Sequence, residues 1–253
     1  MRVLSGPEKK SRLISEKEKA ITAYHEMGHA LVGHYLENTD PVHKVSVVSR
    51  GQALGYTISL PTEDKFLTTM SELKDNLSMT LGGRAAEEVV FGEITTGAAN
   101  DLEQATTTAK QMIMRYGMSE ELGPRSLGHN QALPFLGREF SQEPDYSEDV
   151  AHQIDLEIRR IIEEAHERAR GILRDHREQL DRVAEILIRR ETLERNEFEA
   201  LLEDTPEKDV FHDKDVRARR RAKPSQARAR QNRPRQPKIV APVPVKPVDP
   251  ETT

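Results

Sequence analysis

The sequence contains no cysteine. Disulfide stapling is therefore excluded, and any metal site has to be built from histidine and carboxylate ligands. There is no run of 18 or more apolar residues, so no stretch reads as a membrane span. The first ten residues, MRVLSGPEKK, lack the apolar core of a secretory signal, and the chain taken alone is expected to be soluble. Apolar residues are scarce overall, at 36% of 253 against 32% charged. That balance points to a helical, well-solvated domain accompanied by a segment that does not fold.

Charge is unevenly spread. Twelve of the 38 Lys and Arg residues but only 4 of the 43 Asp and Glu fall in 212–253, so an acidic body precedes a basic tail. Residues 1–14 read as a linker, 15–205 as the folded domain, and 206–253 as a disordered, basic, Pro-rich tail.

Within the domain the expected fold is mainly α with a small β-hairpin. Ser15-x-x-Glu18 has the form of a capping box, opening a helix to about residue 37. The alternating stretch Val42–Val47 and the segment Gly55–Ile58 read as two strands of a hairpin. A second helix is predicted from about Ser71 to Phe91, with Leu73, Leu77 and Leu81 at four-residue spacing. Its Gly82-Gly83 pair costs about 1 kcal/mol per glycine relative to alanine, which implies either close approach by another element or a local break. A third helix is predicted over about 100–116, capped by Asn100 or a neighbour and ended by Gly117. Residues 117–146 read as a long loop. Residues 147–190 read as helix broken near Gly171 or His176, and Asn196-x-x-Glu199 as a capping box for a short helix through Leu202.

The first helix carries His25-Glu26-Met27-Gly28-His29. Two histidines four residues apart are rotated by only about 40°, one turn along the helix, so both imidazoles can reach one ion. Glu26 lies about 100° round from His25, placed to take a proton from a zinc-acidified water and return it to a leaving amine. The bland reading is a charged surface helix with two incidental histidines. Against it, both lie on the face that carries Ile21 and Val32, where two unpaired imidazoles would be costly to bury. A catalytic zinc needs a third protein ligand. His34 is about 180° round from His25, and the position six beyond His29 is Tyr35, so neither serves. The carboxylates Glu87, Glu88 and Asp101 remain, with Asp101 slightly favoured because it shares a helical face with Ala105 and Met112.

Three stretches, SGPEKKSRLISEKEKAITAYHEMGHALVGH, LGGRAAEEVVFGEITTGAANDLEQAT and MRYGMSEELG, together resemble the peptidase domain of the FtsH family, membrane-anchored AAA+ zinc metalloproteases. The resemblance extends to about residue 203. It implies one zinc per chain held by His25, His29 and Asp101, with Glu26 as the catalytic base. It also implies a homohexamer acting on unfolded, damaged or membrane-extracted proteins at the cytoplasmic side of a membrane. Met27 stands where the family usually has alanine, and packing changes are the expected result. The sequence has no Gly-x-x-x-x-Gly-Lys-[Ser/Thr] phosphate loop, so ATP would enter only through an ATPase module outside this chain. The 253 residues are expected to correspond to the part that follows that module. An extended peptide pairing with the 42–60 hairpin would suit such substrates.

The competing reading is a non-catalytic module that supports a hexamer. For the tail, the run Arg217–Arg235 suggests binding to nucleic acid or anionic lipid. It lacks the interleaved aromatics that stack bases, so a solvated tail and no nucleic-acid partner are expected.

Overall fold

The computed structural model describes residues 15–49, 54–61, 65–128 and 146–212. The predicted linker and tail lie outside the described residues, apart from the last few positions before 213. A compact unit carries the whole site and ends at Val210.

Helix α1 spans Glu16–Tyr35 and opens on the expected capping box. The Glu18 amide donates to Ser15 Oγ, and the Ser15 amide donates to Glu18 Oε2, satisfying two otherwise free N–H groups. Its buried stripe includes Ala23, Met27, Ala30 and Leu31, so Met27 is a core residue with no exposed surface. Helix α2 runs unbroken over Met70–Phe91, opened by a second capping box, Thr69 with Glu72, and closed by Gly92 in the left-handed conformation at φ 68°.

The Gly82-Gly83 pair marks a close approach. A methyl on Gly28 would sit 2.4 Å from the Gly82 carbonyl oxygen, and one on Gly82 would sit 2.7 Å from that of Gly28. The two helices therefore cross backbone to backbone, which offsets the helix propensity both glycines give up.

The third helical segment starts differently from expectation. Thr95 caps a 3-10 turn, Thr96–Ala98, and α3 follows over Ala99–Lys110 with no side-chain cap from Asn100. The chain continues through a π-helical turn, Gln111–Arg115, and reverses at Gly117, where φ is 62°. The long amphipathic helix α4, Glu148–Asp175, buries Ile154, Ile158, Ile161, Ala165, Ala169 and Leu173. These sit at spacings of three and four residues, the stripe that faces a core. It breaks at His176 rather than Gly171, and α5 continues over Arg177–Arg190. Leu77 and Leu81 of α2, Ala105 and Ala109 of α3, Met112 of the π-turn and the α4 isoleucines form one core. Among the described residues no helix is long and apolar enough to cross a membrane.

The hairpin forms as β1, Val42–Ser46, and β2, Tyr56–Ser59. A third strand, β3 at Thr192–Glu194, was not expected. It pairs antiparallel with β1, so the sheet order is β2-β1-β3 and Val45 lies opposite both Thr57 and Leu193. Glu191, at φ 62°, turns the chain into β3. The short helix α6, Arg195–Leu202, then begins one residue before the predicted Asn196 cap. Glu194 and Glu197 form its capping box, and the four-residue α7 spans Glu207–Val210.

This topology bears on where along the hairpin a further strand could add. β1 is already paired on both sides, and the Val47 amide donates to the Glu191 carbonyl. Among the described residues, β1 has a strand on either side and β2 is the outer strand of the sheet.

Candidate metal centre

His25 and His29 project from α1 one turn apart, and Asp101 projects from the first turn of α3. Their ligand atoms converge. The two Nε2 atoms are 3.1 Å apart, and Asp101 Oδ2 lies 3.1 Å from that of His25 and 3.5 Å from that of His29. Bonds of 2.0–2.1 Å in a tetrahedron place ligand atoms about 3.3 Å from one another, so the triangle has the size that one zinc ion requires. Two imidazole nitrogens and one carboxylate oxygen also match a catalytic zinc set, which leaves a position for water or substrate. Among the described residues this is the one group of three that brings such atoms together.

The far side of each ring is fixed as well. His25 Nδ1 is 2.8 Å from Glu87 Oε1, and His29 Nδ1 is 2.8 Å from the Met79 carbonyl oxygen. A carbonyl can only accept, so the His29 hydrogen belongs on Nδ1. The Gly83 N–H at 3.3 Å from the same nitrogen is the longer contact. With Nδ1 donating in both rings, each Nε2 keeps its lone pair for a cation. The second Glu87 oxygen accepts the Thr95 amide at 2.6 Å, so one buried carboxylate ties His25 to the turn that leads into Asp101.

The electrostatics favour positive charge between these groups. Burial pulls the His25 pKa down, but hydrogen bonds to Asp101 and Glu87 more than reverse this and leave it at about 10. Burial opposes ionisation of Asp101, yet hydrogen bonds from His25 and His29 hold its pKa below the usual carboxylate range. A pocket that draws a proton so strongly is equally disposed to a dication. Burial pushes the Glu26 carboxyl up, against the two histidines, which lower it.

Glu26 is 8% exposed and stands beside the cluster. Thr57 of β2 donates to it at 2.8 Å from Oε2 and 3.0 Å from its backbone carbonyl. These groups line a cleft of about 1060 Å³, walled by α1, α2 and β2 and by the segment from Thr95 to Thr108. Gly83 of α2 packs against the two imidazole rings. A methyl there would fall 2.5 Å from His29 Nε2 and 2.6 Å from His25 Nε2.

The remaining candidates lie apart. Glu88 pairs with Arg170 at 3.4 Å and His166 at 3.3 Å. His34 is exposed and meets Tyr35 and Phe198 edge-on, while Tyr35 stacks on His176 at 3.6 Å. Sequence reasoning did not find the parts played by Met79, Gly83, Thr95 and Thr57. Gly83 carried a signal, its helix-breaking cost inside an apolar repeat. The Met79 carbonyl carried none, because a main-chain atom leaves no mark on residue type.

Comparison with known proteins places the chain in a family. Residues 12–201 match the model of peptidase family M41. The chain is 66% identical over 211 residues to the ATP-dependent zinc metalloprotease FtsH 1 of Conexibacter woesei, covering 83% of this chain and 32% of that protein. It is 54% identical over 203 residues to the FtsH of Rubrobacter xylanophilus, covering 80% and 31%. It is 51% identical over 210 residues to that of Thermotoga maritima, covering 83% and 34%. The chain thus spans about a third of the length of these relatives. A match across three quarters of the chain, taking in both histidines, the aspartate and the buried glutamate between them, leaves one assignment: the chain belongs to peptidase family M41.

Proposed function

We propose that this chain is a zinc endopeptidase, with His25, His29 and Asp101 holding the metal and Glu26 acting as general base. The observation that carries the reading is the 3.1–3.5 Å triangle of ligand atoms beside a buried carboxylate. A bound zinc ion supplies a Lewis acid that polarises the scissile carbonyl and brings the pKa of water towards neutrality. The residues do the rest. Thr57 holds Glu26 Oε2, which leaves Oε1 to take the proton of the attacking water and pass it to the leaving amine. An extended peptide runs along β2, the outer strand of the sheet, which brings its backbone past Glu26 and into the cleft.

The substrates we assign are unfolded, damaged or membrane-extracted polypeptides. They would be delivered to a homohexamer at the cytoplasmic face of a membrane by an ATPase module and an anchor that lie outside these 253 residues. The relatives' names describe ATP-dependent zinc metalloproteases, and the coverage of about a third of each leaves room for those parts.

The test is metal dependence. The purified 253-residue chain is expected to hold about one zinc per chain and to cleave casein or a flexible peptide. Chelation should remove both properties, and added zinc should restore both. A carefully purified chain without zinc and without cleavage would favour the assembly module instead, and cleavage that survives chelation would overturn the zinc mechanism. Glu87→Ala should weaken zinc affinity by about 10- to 100-fold in a competition titration with a chromogenic chelator. That is the usual loss when an outer partner of a metal-binding histidine is removed. Unchanged affinity would mean that Glu87 only closes the Thr95 turn.

A further inference from the structure

We infer that Thr57 is a positioning residue for the Glu26 base, holding its carboxylate in one orientation from the strand that walls the cleft. The inference rests on the peptidase reading above and deepens it.

A glutamate has three side-chain torsions, and a base that swings through several rotamers spends little time aligned with its water. Among the described residues, Thr57 is the one side chain hydrogen-bonded to the Glu26 carboxylate. Its hydroxyl lies between Oε2 at 2.8 Å and the carbonyl oxygen of the same residue at 3.0 Å. It therefore touches both ends of one residue, which fixes the bend of the side chain between them. The single hydroxyl hydrogen can turn from one acceptor to the other without the oxygen moving.

Thr57 is well suited to this. A β-branched side chain is stiff about its first torsion. Its backbone is held in the ladder opposite Val45, a fully buried residue of the central strand that Leu193 backs from the other side. The opposite flank is closed by Gly55, where a methyl would lie 2.8 Å from Glu26 Cγ and 2.9 Å from Oε1. The carboxyl group thus sits in a slot formed by two residues of one strand segment, Gly55 and Thr57. Zinc ligation involves neither.

The slot accounts for a positioning role better than for a purely structural one. Thr57 is only partly buried, so loss of its hydroxyl opens no deep cavity. Gly55 takes no unusual backbone angle, so a larger residue there would act by pressing on Thr22 Cγ2, 2.7 Å from the added methyl, and on the Glu26 side chain.

The experiment compares Thr57→Val, Thr57→Ser and Gly55→Ala in the full 253-residue chain, with wild type and a chelated control. Zinc content, kcat and KM for a flexible fluorogenic peptide, and Kd for a peptide hydroxamate are measured on each. For Thr57→Val we expect unchanged zinc content, KM within about twofold, and kcat lower by about 10- to 100-fold, the scale of a misplaced catalytic group. Hydroxamate binding, in which the base accepts the ligand's proton, should weaken by about 10-fold. Thr57→Ser should restore both, and Gly55→Ala should reproduce the kcat loss. Thr57→Val with wild-type kcat and hydroxamate affinity would overturn the inference. So would loss of zinc in that variant, which would make the residue structural. A wild type that binds zinc and hydroxamate but cleaves nothing would sink the peptidase reading, while the hydroxamate comparison would still judge Thr57.

Discussion

Gly83→Ala is expected to abolish zinc binding, with cleavage lost as a consequence. The added methyl would stand 2.5 Å from His29 Nε2 and 2.6 Å from both Cε1 and Nε2 of His25. These are the atoms that converge on the metal position, so the collision falls on the coordinating edges of both rings. Neither side can give way cheaply. Helix α2 cannot retreat, because Gly82 beside it is in backbone contact with Gly28. The rings cannot swing aside without breaking their bonds to Glu87 and the Met79 carbonyl. Alanine is otherwise the better helix former by about 1 kcal/mol, and α2 is expected to survive. The outcome is a folded domain without its ion. Zinc affinity should fall by more than about 100-fold, beyond the usual effect of removing an outer partner. Circular dichroism should be close to wild type. A Gly83→Ala chain that retains stoichiometric zinc through dialysis against a weak chelator would contradict this account of how α2 packs against the two rings.

Glu26→Gln should give the complementary result, a loaded site that does not cut. Glutamine is nearly isosteric, and its amide oxygen can still accept from Thr57. Glu26 is not among the three convergent donors, so zinc content should not change. Only the ability to take and return a proton is lost, and kcat should fall by about 100- to 10,000-fold, the span attributed to general acid–base catalysis. Peptide KM should change little. Cleavage at more than a tenth of the wild-type rate would remove Glu26 from the role assigned to it.

Local features of the sequence read through to the structure where one short segment carries both cause and effect. The Ser15 capping box, the one-turn spacing of His25 and His29, and the hairpin are all of this kind, whereas the Gly82-Gly83 pair left close approach and a local break open until α1 was in place. The third carboxylate was harder, because Glu87, Glu88 and Asp101 all fit a helix near the site. Neighbouring positions on a helix differ by about 100°. Glu87 consequently meets His25, while Glu88 meets Arg170 on another side, and only the packing of α1 against α2 decides which does what. Some features were present but unread. Thr69-x-x-Glu72 has the same form as the Ser15 box, and Glu194-x-x-Glu197 lacks the Ser or Thr that usually announces one. Strand β3 had no legible signal. Thr192–Glu194 is too short to show alternation, and it is a strand because β1 offers an edge to it. The contacts from Met79 and Thr57 that orient His29 and the base join residues 50 and 31 positions apart, so no local pattern could have revealed them.

Strand β3 also bears on when the site comes into being. The triangle of metal-binding atoms is complete in the first 101 residues, but the strand behind the Thr57 wall takes its second partner from residues 192–194. Pairings of such long separation form late in folding, and on a ribosome they must wait until nearly the whole domain has emerged. The residues of the metal triangle thus leave the ribosome before the strand that completes the cleft wall. The cleft wall is finished only when that last strand has closed.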